Sequence, residues 1–359
     1  MSGNWNNNNQ LIDENIDGFT DIPLLDQRHL FAKYKAELGN FKQQFAFRYL
    51  EEERTGGQLD WNREFLGSDV IYGEFIETKR SEILSQSSWK SWKLDASAAF
   101  HQQESYYGDV NFDATQDVYF ANLTFNPILG KWRSQFGLTA RFNDYQDNSD
   151  VNSSQQDFLP GVFAQTQRNI GKRTTILTGA RIDHHESHGV VFSPRFNLRH
   201  QLSENTAIRL NSGTGFRVVN LVTEDHAFLT GSREVIIKED LLPEESFNIS
   251  LNAEHFFPLT RGYIKLEGEG FNTSFSNRII PDYDQDPNQV IYENLSGNAF
   301  TTGLRLNSNF VFPKWNIDLG AMFVENYETD GGQRTWILYS PKWSGNFNAE
   351  YSFTKELKV

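Results

Sequence analysis

Phe41-Lys42-Gln43-Gln44-Phe45-Ala46-Phe47-Arg48-Tyr49 is the stretch that decides the fold. Positions 41, 45, 47 and 49 are aromatic and share their parity with Gln43, while Lys42, Gln44, Ala46 and Arg48 stand between them. Successive side chains of an extended strand point to opposite faces, so this run has one apolar face and one wet face. The same period recurs along the chain. Trp92, Leu94, Ala96, Ala98 and Phe100 oppose Lys93, Asp95, Ser97 and His101. Trp132, Phe136, Leu138, Ala140 and Phe142 oppose Arg133, Gln135, Thr139 and Arg141. Runs starting at Phe247, Phe300 and Trp343 repeat it. No segment of comparable length carries a 3.6-residue stripe, so the chain is all-β.

The spacing of these runs predicts about fifteen strands, many ~9–13 residues long, where a membrane-crossing strand needs ~9–11 and a globular strand has ~5–6. Short turns such as Leu38-Gly39-Asn40 and Ser203-Glu204-Asn205 alternate with long acidic links at roughly 51–70, 104–116, 143–157, 217–243, 277–295 and 326–338. Such alternation is the mark of an up-and-down barrel with two unlike rims. Arg48, Arg133, Arg141, Arg181, Arg195, Arg199, Arg209 and Arg305 fall in phase with the polar face. Trp92, Trp132, Trp315 and Trp343 near strand ends suit an interfacial girdle. The reading is an antiparallel up-and-down transmembrane β-barrel over residues 28–359, preceded by a polar, acidic external loop at 1–27.

Composition agrees. The 359 residues carry a net charge of −14, 14% aromatics and no cysteine. Zero cysteine removes disulfides and thiolate chemistry, and the acidic balance argues against a nucleic-acid partner. Mean hydropathy is −0.57, and no run is long and apolar enough for a membrane helix. A β-barrel escapes that test, because it averages a lipid face with a wet one.

Residues 193–220 carry a recognisable pattern. Ser193-Pro194-Arg195-Phe196-Asn197-Leu198 precedes Gly213-Thr214-Gly215-Phe216-Arg217-Val218-Val219-Asn220, with Glu224 seven residues after Arg217. Leu242-Pro243-Glu244-Glu245-Ser246 then opens the next strand. Thr178-Gly179-Ala180-Arg181-Ile182-Asp183 stands before these pieces, and Asn294-Leu295-Ser296-Gly297-Asn298-Ala299 after them. The succession resembles the barrel region of TonB-dependent outer-membrane receptors. One departure is Val219, where that family commonly has proline. The resemblance implies a multi-pass barrel in the outer membrane of a Gram-negative bacterium, with about fifteen of an expected 22 strands. It also implies truncation at both ends, with the plug and the TonB-contacting segment lying outside this chain. Ser193, Pro194, Arg195, Gly213, Gly215, Phe216, Arg217, Pro243 and Glu244 are then structural motif residues.

Little points to catalysis: the sequence has no nucleophile elbow, phosphate loop or zinc helix. His184-His185-Glu186-Ser187-His188 is the one histidine cluster, and it reads as a solvated loop. Asp13, Asn15, Asp17 and Gly18 occupy positions 1, 3, 5 and 6 of an EF-hand-like loop, with Asp21 at position 9. These oxygens suit structural Ca2+, although Leu24 stands where a bidentate Glu belongs. Asp282, Asp284 and Asp286 form a second, weaker candidate set. No cofactor is required. The expected function is active uptake of a scarce nutrient (metal chelate, cobamide or glycan) energised through TonB. Lipid and lipopolysaccharide surround such a barrel. A passive porin and a soluble all-β binding protein are the alternatives.

Overall fold

A computed structural model of the chain describes residues 1–149, 154–219, 234–282, 286, 288–330, 333–337 and 340–354. Glu224, Asp284 and the last five residues, named above or belonging to the expected barrel, lie outside the described residues. In chain order the strands are β1 (Ser2–Asn8), β2 (Leu24–Leu38), β3 (Phe41–Gly57), β4 (Gly73–Trp89), β5 (Trp92–Tyr107), β6 (Val110–Phe125) and β7 (Ile128–Leu129). They continue as β8 (Trp132–Asp147), β9 (Ser154–Ile170), β10 (Thr174–His185), β11 (Gly189–Ser203), β12 (Thr206–Arg217), β13 (Glu234–Ile237) and β14 (Glu244–Leu259). The last are β15 (Gly262–Asn277), β16 (Ile279–Asp282), β17 (Gln289–Asn294), β18 (Asn298–Val311), β19 (Trp315–Asp330), β20 (Gln333–Trp336) and β21 (Trp343–Tyr351). Fifteen of these have nine residues or more, which matches the number read from the alternation.

Eighteen strands form one sheet in which each long strand pairs antiparallel with the next long strand of the chain. The expected up-and-down transmembrane architecture is therefore present, and β1 and β21 are edges, so the barrel is not closed. Register turns the period of each strand into rows. Leu94 pairs with Leu123, Leu123 with Leu138, Leu138 with Val162, Val162 with Ile182, and Ile182 with Phe192. This row of six apolar side chains crosses six strands on one face, and all six are exposed, Leu138 at 58%. Exposed Trp89, Trp92, Trp132 and Trp315 stand at the short-turn rim on the same face. A belt of this kind has its solvent in lipid. The opposite face carries rows such as Arg209–Asn252–Glu269–Arg305, tied by ion pairs including Arg209 to Glu254 at 2.6 Å.

Two expectations need correction. Ser2–Asn8 is a strand, not part of a loop: it pairs along Leu25–Phe31, and Trp5 Nε1 donates to Asp26 Oδ1 at 3.0 Å. A ladder needs only backbone groups, so an Asn-rich edge strand shows no apolar period. The barrel sheet accordingly begins before residue 28, with β2 starting at Leu24. Residues 104–116 are likewise not a long link, because β5 and β6 run on to a turn at Gly108-Asp109. Gly108 has φ +62°, a conformation that Cβ-bearing residues rarely adopt.

The long links also contain structure that the period did not announce. β13 pairs parallel with β17, and β16 pairs antiparallel with β17, giving a separate three-stranded sheet. Its core joins Val290 and Tyr292, 0% and 2% exposed, to Ile279, with Val219, Val235 and Leu241 packed alongside.

Candidate binding site on the polar face

The two motif segments meet at the long-link rim. Arg217 ends β12 and Glu244 opens β14, and they are register partners. Arg217 Nε donates to Glu244 Oε2 at 3.0 Å, with Nη2 2.8 Å from the same oxygen. Glu244 is buried, and its Oε1 accepts the amide of Ile279 at the start of β16. Asn294 ties the neighbouring pieces. Its Oδ1 accepts the Leu242 amide, and its Nδ2 donates to Glu239 Oε1 and to the Asp240 carbonyl. The Leu242 and Pro243 carbonyls accept from Asn277 Nδ2. Arg195 pairs across to Gly213, and Ser193 and Pro194 lie beside it on β11, opposite Arg181 and Ala180. Gly215 pairs with Ser246 and Phe216 with Glu245. The structure thus joins Arg217, Pro243, Glu244 and Asn294 into one clamp between sheet and links.

A cleft of about 530 Å³ opens beside this clamp on the polar face, lined in part by Arg141, Asp157, Leu159, Arg181, His185 and Arg217. Asp183 forms its floor and is fully buried. Arg181 Nε and Nη2 donate to the two Asp183 oxygens, both at 2.6 Å, and Nη2 reaches Thr139 Oγ1 at 2.8 Å. A bidentate fork of this kind is among the stronger protein hydrogen bonds. Gly161 makes room for it: a Cβ there would stand 2.1 Å from Asp183 Oδ1.

His185 closes one end and is 3% exposed. Its Nδ1 accepts the Ser187 amide at 3.2 Å, which places the hydrogen of the neutral ring on Nε2. Nε2 is buried without a hydrogen-bond partner, although Asp157 Oδ1 stands 3.4 Å away. His184 lies on the other face and is exposed, as the extended spacing requires. The His185 and His188 ring centroids are 4.7 Å apart. Burial and then His185 hold the His188 imidazole below its ordinary range, against the opposing pull of Asp157.

The acidic loop at 13–21 is closed by its own amides. Asp13 accepts from the Asp17 and Gly18 amides, Asn15 from Asp17, Asp17 from Phe19, and Asp21 from Glu14. Asp282 lies in β16 opposite Ile291, and Asp286 Oδ1 accepts the Asn288 amide. Among the described residues no three His, Asp or Glu side chains are arranged to hold a metal ion.

A convex apolar belt, a polar concave face and one rim of short turns define an outer-membrane β-barrel wall. The family described as TonB dependent receptor-like, beta-barrel, matches residues 2–357, and the chain belongs to it. This is a family of receptors and transporters, not of enzymes. The iron-regulated outer membrane virulence protein of Vibrio cholerae is 24% identical over 152 residues, covering 40% of this chain and 23% of that protein. The siderophore receptor PirA of Acinetobacter baumannii superposes with a TM-score of 0.68 at 11% identity, over 93% of this chain and 57% of that one. The FrpB iron transporter of Neisseria meningitidis gives 0.66 at 14%, over 92% and 58%. The chain thus spans less than two thirds of each of these relatives.

Proposed function

We propose that this chain forms part of the wall of a receptor that imports a ferric chelate across the outer membrane, energised through TonB. The observation that carries the reading is the kinship with proteins described as iron-regulated, siderophore receptor and iron transporter. A polar cleft beside the long-link rim is a suitable place for a chelate to be held. The metal chelate is therefore preferred over a cobamide or a glycan. Lipid and lipopolysaccharide contact the convex belt in this reading. Structural calcium at Asp13, Asn15, Asp17 and Asp21 is a separate proposal, supported by the turn that gathers these side chains, and calcium titration of the Asp17→Ala variant tests it.

Uptake of 55Fe presented as ferric chelates, in cells with and without the gene, tests the main reading. Loss of uptake for at least one chelate is expected, together with its dependence on the proton-motive force. Unchanged iron uptake with impaired growth on a cobamide or a glycan overturns it.

A further inference from the structure

The chain as a whole is acidic, with 33 Lys and Arg against 47 Asp and Glu, but one rim reverses that sign. The short turns that follow β2, β4, β6, β9, β11, β14 and β18 hold Lys90, Lys131, Lys172, Arg173, Arg261 and Lys314 against a single carboxylate, Glu204. These cations are exposed, and water alone would satisfy them, so their number decides only the sign of the rim. What points to a partner is their place relative to the aromatic girdle. Lys90 follows Trp89, Lys131 precedes Trp132 and Lys314 precedes Trp315. Each of these tryptophans ends or opens its strand, so each lysine stands one residue, ~3.3 Å, farther out. Two of the lysines then fold back over the belt face. Lys90 Nζ lies 4.8 Å from the Trp89 ring centroid, and Lys314 Nζ lies 6.0 Å from that of Tyr351, the register partner of Trp315. Arg168 is opposite Trp132 in register and sets its guanidinium 4.9 Å from that ring. Attraction to the ring faces holds these cations on the lipid-facing side of the wall. Lys90 takes φ 52° to do so, a conformation that Gly39, Gly130 and Gly171 supply elsewhere on this rim.

Girdle aromatics sit at the boundary between hydrocarbon and headgroups. Cations one residue farther out, turned to the same face, therefore stand at the depth of the headgroup phosphates. Basic side chains at that depth attract anionic lipid, and the attraction decays within a Debye length. We infer that the short-turn rim is a docking surface for anionic phospholipid, with phosphates against Lys90, Arg168 and Lys314 and acyl chains along the apolar belt. The long-link rim has a different outward face. Asp26, Glu53, Glu77, Glu104 and Asp113 form one register row there across β2 to β6. Arg28, Arg63 and Lys79 offset only part of that charge. Such a row repels phosphate, so the two rims select different surroundings. The inference rests on the lipid-covered convex face of the function proposed above, and it adds which headgroup charge one rim selects.

The test reconstitutes the protein, extracted from outer membranes, into phosphatidylcholine vesicles. Quenching of its tryptophans by dibrominated phosphatidylglycerol is compared with quenching by dibrominated phosphatidylcholine. A preference of about threefold or more for phosphatidylglycerol is expected. Lys90→Gln with Lys314→Gln should remove most of that preference. Lys33→Gln with Lys35→Gln deletes the same charge from the polar face of β2 and should leave the preference unchanged. Lys90→Arg with Lys314→Arg, which keeps the charge, should retain it and exclude a folding defect. Quenching by both lipids without preference overturns the docking surface and leaves the rim to a soluble acidic partner. A preference that the polar-face pair abolishes equally overturns it too. No quenching by either lipid sinks the lipid-facing belt itself, and this inference with it.

Discussion

The main sheet and the small sheet β13–β17–β16 are built from similar residues turned to opposite solvents. In the main sheet Leu138, Val162 and Phe192 point away from the protein and are exposed. In the small sheet Val290 and Tyr292 are sealed among Ile279, Val219, Val235 and Leu241. An exposed apolar row is a liability in water and a requirement in hydrocarbon. Backbone pairing is shared by both sheets, so the side chains alone reveal which solvent each one meets. The links fold like an ordinary water-soluble protein, and the wall does not.

The sharpest way to break this contrast is Leu138→Arg in the middle of the apolar row. Unfolding by denaturant in phospholipid vesicles should show a loss of about 2–4 kcal/mol, the cost of a lipid-facing arginine near the bilayer midplane. A water-facing site tolerates such a change within about 0.5 kcal/mol, and a result that small would mean that lipid does not cover this face. Tyr292→Ala probes the other sheet. Removing a buried aromatic should cost on the order of 3 kcal/mol, confined to the links. Hydrogen exchange should accelerate at β13, β16 and β17 while β8 and β9 stay protected; loss of protection across the main sheet would join the two regions into one cooperative unit.

The smallest effect belongs to the link between β3 and β4. There the Tyr72 phenol is pushed up to about 12, first by burial, then by its hydrogen bond and proximity to Glu74. Because the folded value lies above the ordinary 10.0, this contribution is fully present below pH 10. It is lost as pH rises through 12. Ultraviolet titration should show late tyrosine ionisation whose amplitude near pH 12 falls by one phenol in Tyr72→Phe; an unchanged amplitude in that variant would contradict the assignment.

The wall was legible in the sequence because each crossing strand repeats one physical constraint, lipid on one side and polar groups on the other. Where that constraint lapses, so did the reading. Ser2–Asn8 has no apolar alternation, since its ladder depends only on backbone groups. Strands β5 and β6 continue past the belt to Tyr107 and from Val110, where the apolar residues change sides: Tyr107, Phe112 and Ala114 are buried with Tyr145 on the face opposite the belt. Val290, Ile291 and Tyr292 form a β-rich run inside an acidic link, too short to display a period. The motif residues were visible as a succession, but not the clamp, which joins Arg217 to Glu244 across 27 positions. The cleft was less legible still. Arg141, Asp157, Arg181 and His185 come from three strands, and only their register places them together.

That register has a consequence for how the chain tolerates interruption. β3 and β4 are held along an unbroken ladder from Phe41–Trp89 to Gly57–Gly73, so the link between them carries no information about alignment. The turn at Lys90-Ser91 is different: with two residues it dictates which row each side chain joins. A one-residue insertion there would swap lipid-facing and water-facing side chains along a whole strand. Longer links can therefore diversify, be cut or acquire new sequence without disturbing the wall. Freedom to change length is expected at one rim and not at the other.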